Sequence, residues 1–247
     1  MSSSVSSVLQ YTLPRMKQAT NEVSEDLPLF VWIKRLIYPI LAAFKSIKQK
    51  TLKVSLEKQI SKYSDFTNKE YLIIKSYFKN KMLKKGGILH STNTICDKYY
   101  FIETGLIRYF IINNGEEITG GFFFEGEGYT DSNSFITNSF SRQTAQAIER
   151  SSLLFISRAD LEKLYKEVPK FERVGRILAE QALLNIRYKI DNHVLLDAKK
   201  RYLNLIECRP SVIKRVPQHY IASYLGIKPQ SLSRIRKNLL FWFLNIC

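Results

Sequence analysis

Cysteine is scarce in this chain of 247 residues, and its three thiols, Cys96, Cys208 and Cys247, stand far apart. Without a C-x-x-C pair or any regular spacing, they read as reduced thiols of a cytoplasmic protein, not as disulfides, zinc ligands or an iron–sulfur site. Histidine is equally thin: His90, His193 and His219 occur singly, which suits packing or surface roles better than metal binding or proton transfer. No nucleophile has a base at motif spacing and no phosphate-cradling loop is present, so an enzyme is not expected and neither is a cofactor.

Acids are in deficit, with 22 Asp and Glu against 38 Lys and Arg, a formal charge of +16. The excess is uneven. Residues 197–237 hold ten bases and two acids, and residues 1–55 hold eight bases and three acids, which leaves only +3 for everything between. A concentrated basic region attracts phosphate backbones and releases their counterions. The middle of the chain is not built to hold polyanions.

Long uninterrupted apolar runs are also missing. The best candidate, residues 27–44, has Lys34 and Arg35 at its centre, each costing about 2.5–3.5 kcal/mol on insertion scales, and Pro39 breaks its helix, so a membrane span is not expected. No charged n-region or clean cleavage site marks a secretory signal. The stretch reads as a helix capping the domain that follows, or as translated sequence upstream of the functional start. With Lys45, Lys48, Lys50 and Lys53 next in line, a surface-seeking amphipathic segment is the alternative. Residues 1–26, Ser-rich and polar, read as disordered.

What is present is a core-sized supply of apolar residues, 45% hydrophobic and 13% aromatic, enough for two domains and accessories. From about residue 84 to 157 the apolar pattern has period two. Runs at 99–103, 106–112, 118–124, 144–148 and 153–157, separated by glycine-bearing turns, predict an all-β sandwich, roll or barrel, and Asn114-Gly115 predicts a hairpin. Helical spacing flanks this segment at 68–78 and 158–167. A long helix is then predicted from Phe171 to about Leu196, with Pro169 in its first turn and two apolar stripes. One stripe runs through Phe171, Val174 and Leu178, the other through Ala179, Ala182, Leu183, Ile186 and Ile190. Two stripes call for two partners: the β domain, and either the same helix of a second subunit or more of the chain's own core.

Residues 218–237 carry the pattern of a helix-turn-helix. Ile221 and Leu225 lie one turn apart, Ala222 lets a second helix approach, and Gly226 permits the left-handed backbone of the corner. Ile227 plugs the angle, Pro229 needs no donor in a first turn, and Leu232 and Ile235 bury the second helix. The face left to solvent holds Gln230, Ser231, Ser233, Arg234, Arg236 and Lys237. After it come only residues 238–247, apolar and too short for a two-stranded wing, which either continue the helix or form a single strand.

A glycine-punctuated roll, a long helix and a C-terminal helix-turn-helix, in that order, resemble the Crp/Fnr transcription regulators, and in particular the aromatic-rich form found in the Bacteroidetes. The resemblance rests on L-K-K-G-G-I-L at 83–89, Y-F-I-E-T-G-L-I-R-Y at 100–109, G-F-F-F-E-G-E at 121–127, V-P-K-F-E-R-V-G-R at 168–176 and R-V-P-Q-H-Y-I-A-S-Y-L-G-I-K-P-Q-S-L-S-R-I-R-K at 215–237. It implies an α+β fold: an N-terminal extension at 1–53, a jelly-roll, cyclic-nucleotide-binding-like sensor domain at 54–168, a dimerisation helix at 169–196 and a DNA-binding domain with a truncated wing at 197–247. It further implies a homodimer joined through Phe171, Val174, Leu178, Ala182 and Ile186, with double-stranded DNA and RNA polymerase as partners. Carried over by position, Gln230, Ser233 and Arg234 would read bases, and Lys228, Arg236 and Lys237 would hold phosphates.

The sensor departs from the nucleotide-binding relatives, where a Gly-Glu pair grips the ribose and a downstream arginine before Ser/Thr-Ala neutralises the cyclic phosphate. Gly126 and Glu127 look like the pair. Arg142, however, lies one residue too far before Thr144-Ala145, and a buried phosphate without a charge-assisted partner costs several kcal/mol. Cyclic AMP is therefore not expected as the effector, and no other small molecule is legible. A second class stays open: a ligand-sensing or interaction module whose DNA-binding part is degenerate.

Overall fold

The computed structural model describes residues 53–244, so the expectations for the N-terminal extension up to residue 52 lie outside the described residues. Two short helices, α1 (Leu56–Ile60) and α2 (Asn68–Tyr77), lead into the strands. A capping box starts α2: the Thr67 hydroxyl accepts from the Glu70 N–H, and the Glu70 carboxylate accepts from the Thr67 N–H at 2.7 Å.

Eight strands follow: β1 (Lys79–Leu83), β2 (Ile88–His90), β3 (Lys98–Thr104), β4 (Ile107–Asn113), β5 (Glu116–Phe123), β6 (Gly128–Tyr129), β7 (Thr144–Ala147) and β8 (Ser151–Ser157). A short helix, α3 (Ser132–Thr137), separates β6 from β7. The strands form two four-stranded antiparallel sheets, ordered β1-β8-β3-β6 and β2-β7-β4-β5. This falls within the sandwich, roll or barrel that the period-two pattern predicts, and is the jelly roll that the family resemblance implies. Asn114 and Gly115 both take positive φ, 51° and 80°, as a tight hairpin turn between β4 and β5 requires.

Alternation decides which side chains fill the roll. Tyr100, Ile102 and Leu153 from one sheet meet Ile107, Ala145 and Ala147 from the other, with Leu89 and Tyr129 closing the cluster. The residues between them in sequence, such as Arg108 and Gln146, face outward and stand opposite each other on β4 and β7. A second core joins α2, α4 (Arg158–Glu167) and the start of α5 (Lys170–Leu195) through Ile74, Ile156, Leu164, Phe171 and Val174.

Only the first turns of the 26-residue α5 are buried, at Phe171, Val174 and Ile177. Farther along, Leu183, Ile186 and Ile190 are 67%, 53% and 52% exposed. Four helices complete the described chain: α6 (Ala198–Cys208), α7 (Pro210–Arg215), α8 (Gln218–Tyr224) and α9 (Pro229–Leu244). Ile221, Ala222, Leu225 and Leu232 are essentially fully buried where α8 meets α9. Gly226, at φ 68°, ends α8 with two reverse bonds, its own N–H to the Ser223 carbonyl and the Ile227 N–H to the Ala222 carbonyl. Of the two forms open to the C-terminal residues, the helix is the one adopted, and α9 runs on to Leu244. Among the described residues no helix is long and apolar enough to cross a membrane.

Candidate nucleic-acid interface and sensor site

Burial of Leu232 against α8 fixes the rotation of α9 and turns Gln230, Ser233, Arg234 and Lys237 outward. Those positions follow the i, i+3, i+4, i+7 rule of one helix face. All four are exposed, and so is Lys228 in the turn before the helix. Arg236 is placed differently. It is half-buried and its guanidinium donates to the Tyr202 hydroxyl of α6, which makes it a brace between helices in this conformation.

The other side of α8 lies on the outer face of β5. The Ser223 hydroxyl accepts from the Thr119 N–H and donates to the Glu117 carbonyl, both at 2.9 Å, and the Phe122 and Tyr224 rings meet at 5.4 Å. At the centre sits Arg108, fully buried, with its guanidinium 3.6 Å from the Tyr220 ring centroid and 4.2 Å from that of Phe110. It donates to Glu117 at 2.6 Å and to Gln146 at 3.2 Å. An arginine in such a place is tolerable because aromatic faces, a carboxylate and an amide replace its water.

Charge pairs surround this contact. Arg209 donates to both carboxylate oxygens of Glu127 at 2.8 Å, and Arg215 donates to both of Glu125 at 2.7 Å and also to Glu149. Burial alone would raise the Glu125 pKa, but hydrogen bonds from Arg215 and backbone N–H groups, with the Arg215 charge, hold it below the usual carboxylate value. Lys189 of α5 adds a 2.5 Å bond to the Gly120 carbonyl, and burial lowers its pKa. The basic C-terminal helices are thus fastened to the roll by acids that the sequence places in its 125–127 loop and at residue 149.

This bears on each residue of the expected effector pocket. Glu127 is engaged by Arg209 and also accepts from the Phe124 N–H. The Gly126 N–H donates to the Ile102 carbonyl at 2.8 Å in a left-handed turn. The Thr144 hydroxyl accepts from the Thr92 N–H at 3.2 Å, and Arg142 is exposed with no ion pair or hydrogen bond among the described residues. Between the sheets the space is taken by rings: Tyr129 lies 5.1 Å from Phe123, 6.3 Å from Tyr109 and 6.4 Å from Tyr100.

The expected dimer residues also divide. Phe171 and Val174 are 5% and 1% exposed inside the chain's own second core, so they are not free for a partner, and Leu178 packs against the same cluster. Ala182 and Ile186 are exposed and continue into Leu183, Ile190, Val194 and Leu195. The periodicity that marks a buried stripe is the same for either partner, which is why both sets looked alike in sequence. Arg108, Arg209 and Arg215 were not singled out by the sequence; the closely spaced acids Glu125 and Glu127 before a strongly basic segment were the only available hint.

Residues 80–168 match the family model of the cyclic nucleotide-binding domain. A sequence search of curated proteins finds no match. Among solved structures the chain is similar to a putative transcriptional regulator of the Crp/Fnr family from Eubacterium rectale, at 19% identity over 74% of this chain and 88% of that one, with a TM-score of 0.59. It is similar to a CooA mutant from Carboxydothermus hydrogenoformans, at 17% identity over 78% and 87% of the two chains, TM-score 0.57. The regulator CLP of Xanthomonas campestris gives 17% identity over 70% and 92%, TM-score 0.57. At these identities the likeness is one of fold. Residues 80–168 are thus similar to a cyclic nucleotide-binding domain, and with the long helix and helical C-terminal unit behind them the described chain has the fold of these Crp/Fnr-type structures.

Proposed function

We propose that this protein is a homodimeric transcription regulator that binds DNA sequence-specifically through α9. The observation that carries the reading is the outward face of that helix, with Gln230, Ser233, Arg234 and Lys237 all exposed while Leu232 and Leu239 are buried on its inner side. In this reading residues 54–168 sense, 169–196 dimerise and 197–247 bind DNA. Arg234 would pair with guanine O6 and N7 and Gln230 with an adenine edge, Ser233 lies between them, and Lys228 and Lys237 would meet phosphates. Arg236 would join them only after leaving Tyr202. RNA polymerase is the expected partner once DNA is bound.

The exposed stripe Ala182, Leu183, Ile186 and Ile190 supports the dimer, because an apolar row on a long helix is stable in water only when a partner covers it. Two copies would set their α9 helices about 34 Å apart, one turn of DNA. The effector is not expected to be cyclic AMP, since Glu127 is already held by Arg209 and Arg142 points to solvent. Gel retardation of a genomic fragment library at two salt concentrations tests the proposal. Fragments retained at the higher salt are the expected result; uniform loss of every fragment would leave only nonspecific polycation binding.

A further inference from the structure

Leu196 and Asp197 alone separate the end of α5 from the start of α6. Leu196 is extended, at φ −110° and ψ 140°, and Asp197 caps α6 by accepting from the Lys200 N–H at 2.8 Å. The two helices are therefore not one continuous rod. The angle across a short extended joint of this kind is set by the side chains that brace it, because one or two backbone dihedrals can absorb a large rotation.

Arg201, in the first turn of α6, is such a brace. Its guanidinium donates through Nη1 to the Leu196 carbonyl at 2.6 Å and through Nη2 to the Leu225 carbonyl at 3.0 Å. Leu196 caps the C-terminus of α5, and Leu225 caps that of α8, directly before the Gly226 corner that leads to α9. Both carbonyls lie at the negative ends of helix dipoles, and the planar fork of an arginine can serve two such acceptors at once. Its Nε is buried without a partner, a desolvation cost that the two charge-assisted bonds offset. Neighbouring residues extend the brace. Asn204 donates to the Asn192 amide oxygen at 3.1 Å and accepts from the Tyr188 hydroxyl at 2.7 Å, both on α5, while the Tyr202 hydroxyl accepts from Arg236 of α9. Through α6, then, the long helix is bonded to the helix-turn-helix by a route that does not pass through the roll.

We propose that Arg201 is the positioning residue that fixes the separation of the two α9 helices in the dimer, and so determines which operator half-site spacing the protein accepts. The inference rests on the reading of α5 as the dimer helix and of α9 as the helix that reads DNA. With the copies joined along α5, any freedom between α5 and α8 becomes freedom in the separation of the recognition helices. One base pair added between half-sites moves them apart by about 3.4 Å and turns one about the DNA axis by roughly 35°. A braced joint cannot follow that displacement, and a loosened one can.

The test uses the full-length protein and the site that it enriches from random DNA, with one base pair added to or removed from the spacer. The wild type should bind both altered sites about tenfold or more weakly than the parent site. Arg201→Met should bind all three within about threefold of one another, with the preferred bases of each half-site unchanged. Mere loss of structure would weaken every spacing in parallel, so the spacing penalty separates positioning from folding. Should Arg201→Met lack a cooperative circular dichroism melt, Arg201→Gln, which can still donate to one carbonyl, carries the same expectations. A folded variant that keeps the spacing penalty of the wild type would overturn the assignment. A salt slope lowered by about one unit would also overturn it, because that marks a direct phosphate contact. If the wild type enriches no two-fold site, the DNA reading itself fails and this inference falls with it, whereas an enriched site with unaltered spacing discrimination in the variant sinks the inference alone.

Discussion

Replacing Arg108 by methionine should loosen the C-terminal unit from the roll while leaving each folded. The guanidinium is fully buried between Phe110 and Tyr220 and bonded to Glu117. Desolvated cation–π contacts contribute up to about 2 kcal/mol. Glu117 is 48% exposed, so its ion pair is screened and contributes under about 1 kcal/mol, and the carboxylate can rehydrate once alone. Against these stands the Arg108 Nε, buried without a partner, whose desolvation costs about 1–3 kcal/mol and is recovered on replacement. The net loss should therefore be modest, at most about 2 kcal/mol, and most of it should belong to Tyr220. A double-mutant cycle of Arg108→Met with Tyr220→Leu, followed by urea unfolding, should show a coupling energy of about 1 kcal/mol or more. Scanning calorimetry should resolve one transition into two in the variants. Additive effects with a single unchanged transition would refute the idea that this arginine fastens the two units.

Asp at Leu183 and Ile186 together should yield monomers in sedimentation, whereas a stable dimer of that variant would place the interface elsewhere. Cyclic AMP and cyclic GMP at about millimolar concentration should give no saturable heat, and micromolar binding abolished by Arg142→Ala would restore the second-messenger reading. The Glu125 carboxyl has a depressed pKa in the folded chain, so its contribution to docking is present above the ordinary carboxylate range and is lost as pH falls through its folded value. Docking followed by limited proteolysis should therefore hold from pH 7 down through the ordinary carboxylate range, about 4.5, and fail only as pH falls below it through the lower folded value, and Glu125→Gln should cost about 1.5–3 kcal/mol near neutral pH and flatten this dependence.

The roll was legible because its central strands are short runs rich in Ile, Phe and Tyr set off by glycine-bearing turns, with Ile102 and Ile107 in an inner core that their sequence neighbours do not join. The strands that escaped are the polar β1, K-N-K-M-L, and the very short β2 and β6, which sit at sheet edges and have little apolar pattern to display. The α8–α9 pair was legible because Ala222, Gly226 and Leu232 satisfy local rules within one short window. Contacts that span the chain were not. Arg209 reaches Glu127 across 82 positions and Arg215 reaches Glu125 across 90, and nothing local distinguishes those arginines from bases awaiting phosphate. Phe171 and Val174 were misassigned to the partner for a related reason, since periodicity reports that a face is buried but not by what.

The central claim is that Gln230 and Arg234 read DNA. Arg234→Ala should lose about 1–3 kcal/mol per half-site and relax one guanine, while Gln230→Glu should move a neighbouring preference from adenine toward cytosine. Lys228→Ala and Lys237→Ala should weaken all sequences alike and lower the salt slope by about one unit each. Selection of bound sites from random DNA by the wild type and the two reading-face variants is the most direct measurement. The account predicts a two-fold symmetric consensus with half-sites about 10 base pairs apart, altered at one position in each variant. No enriched sequence with the wild type, or the same consensus from all three proteins, would contradict it.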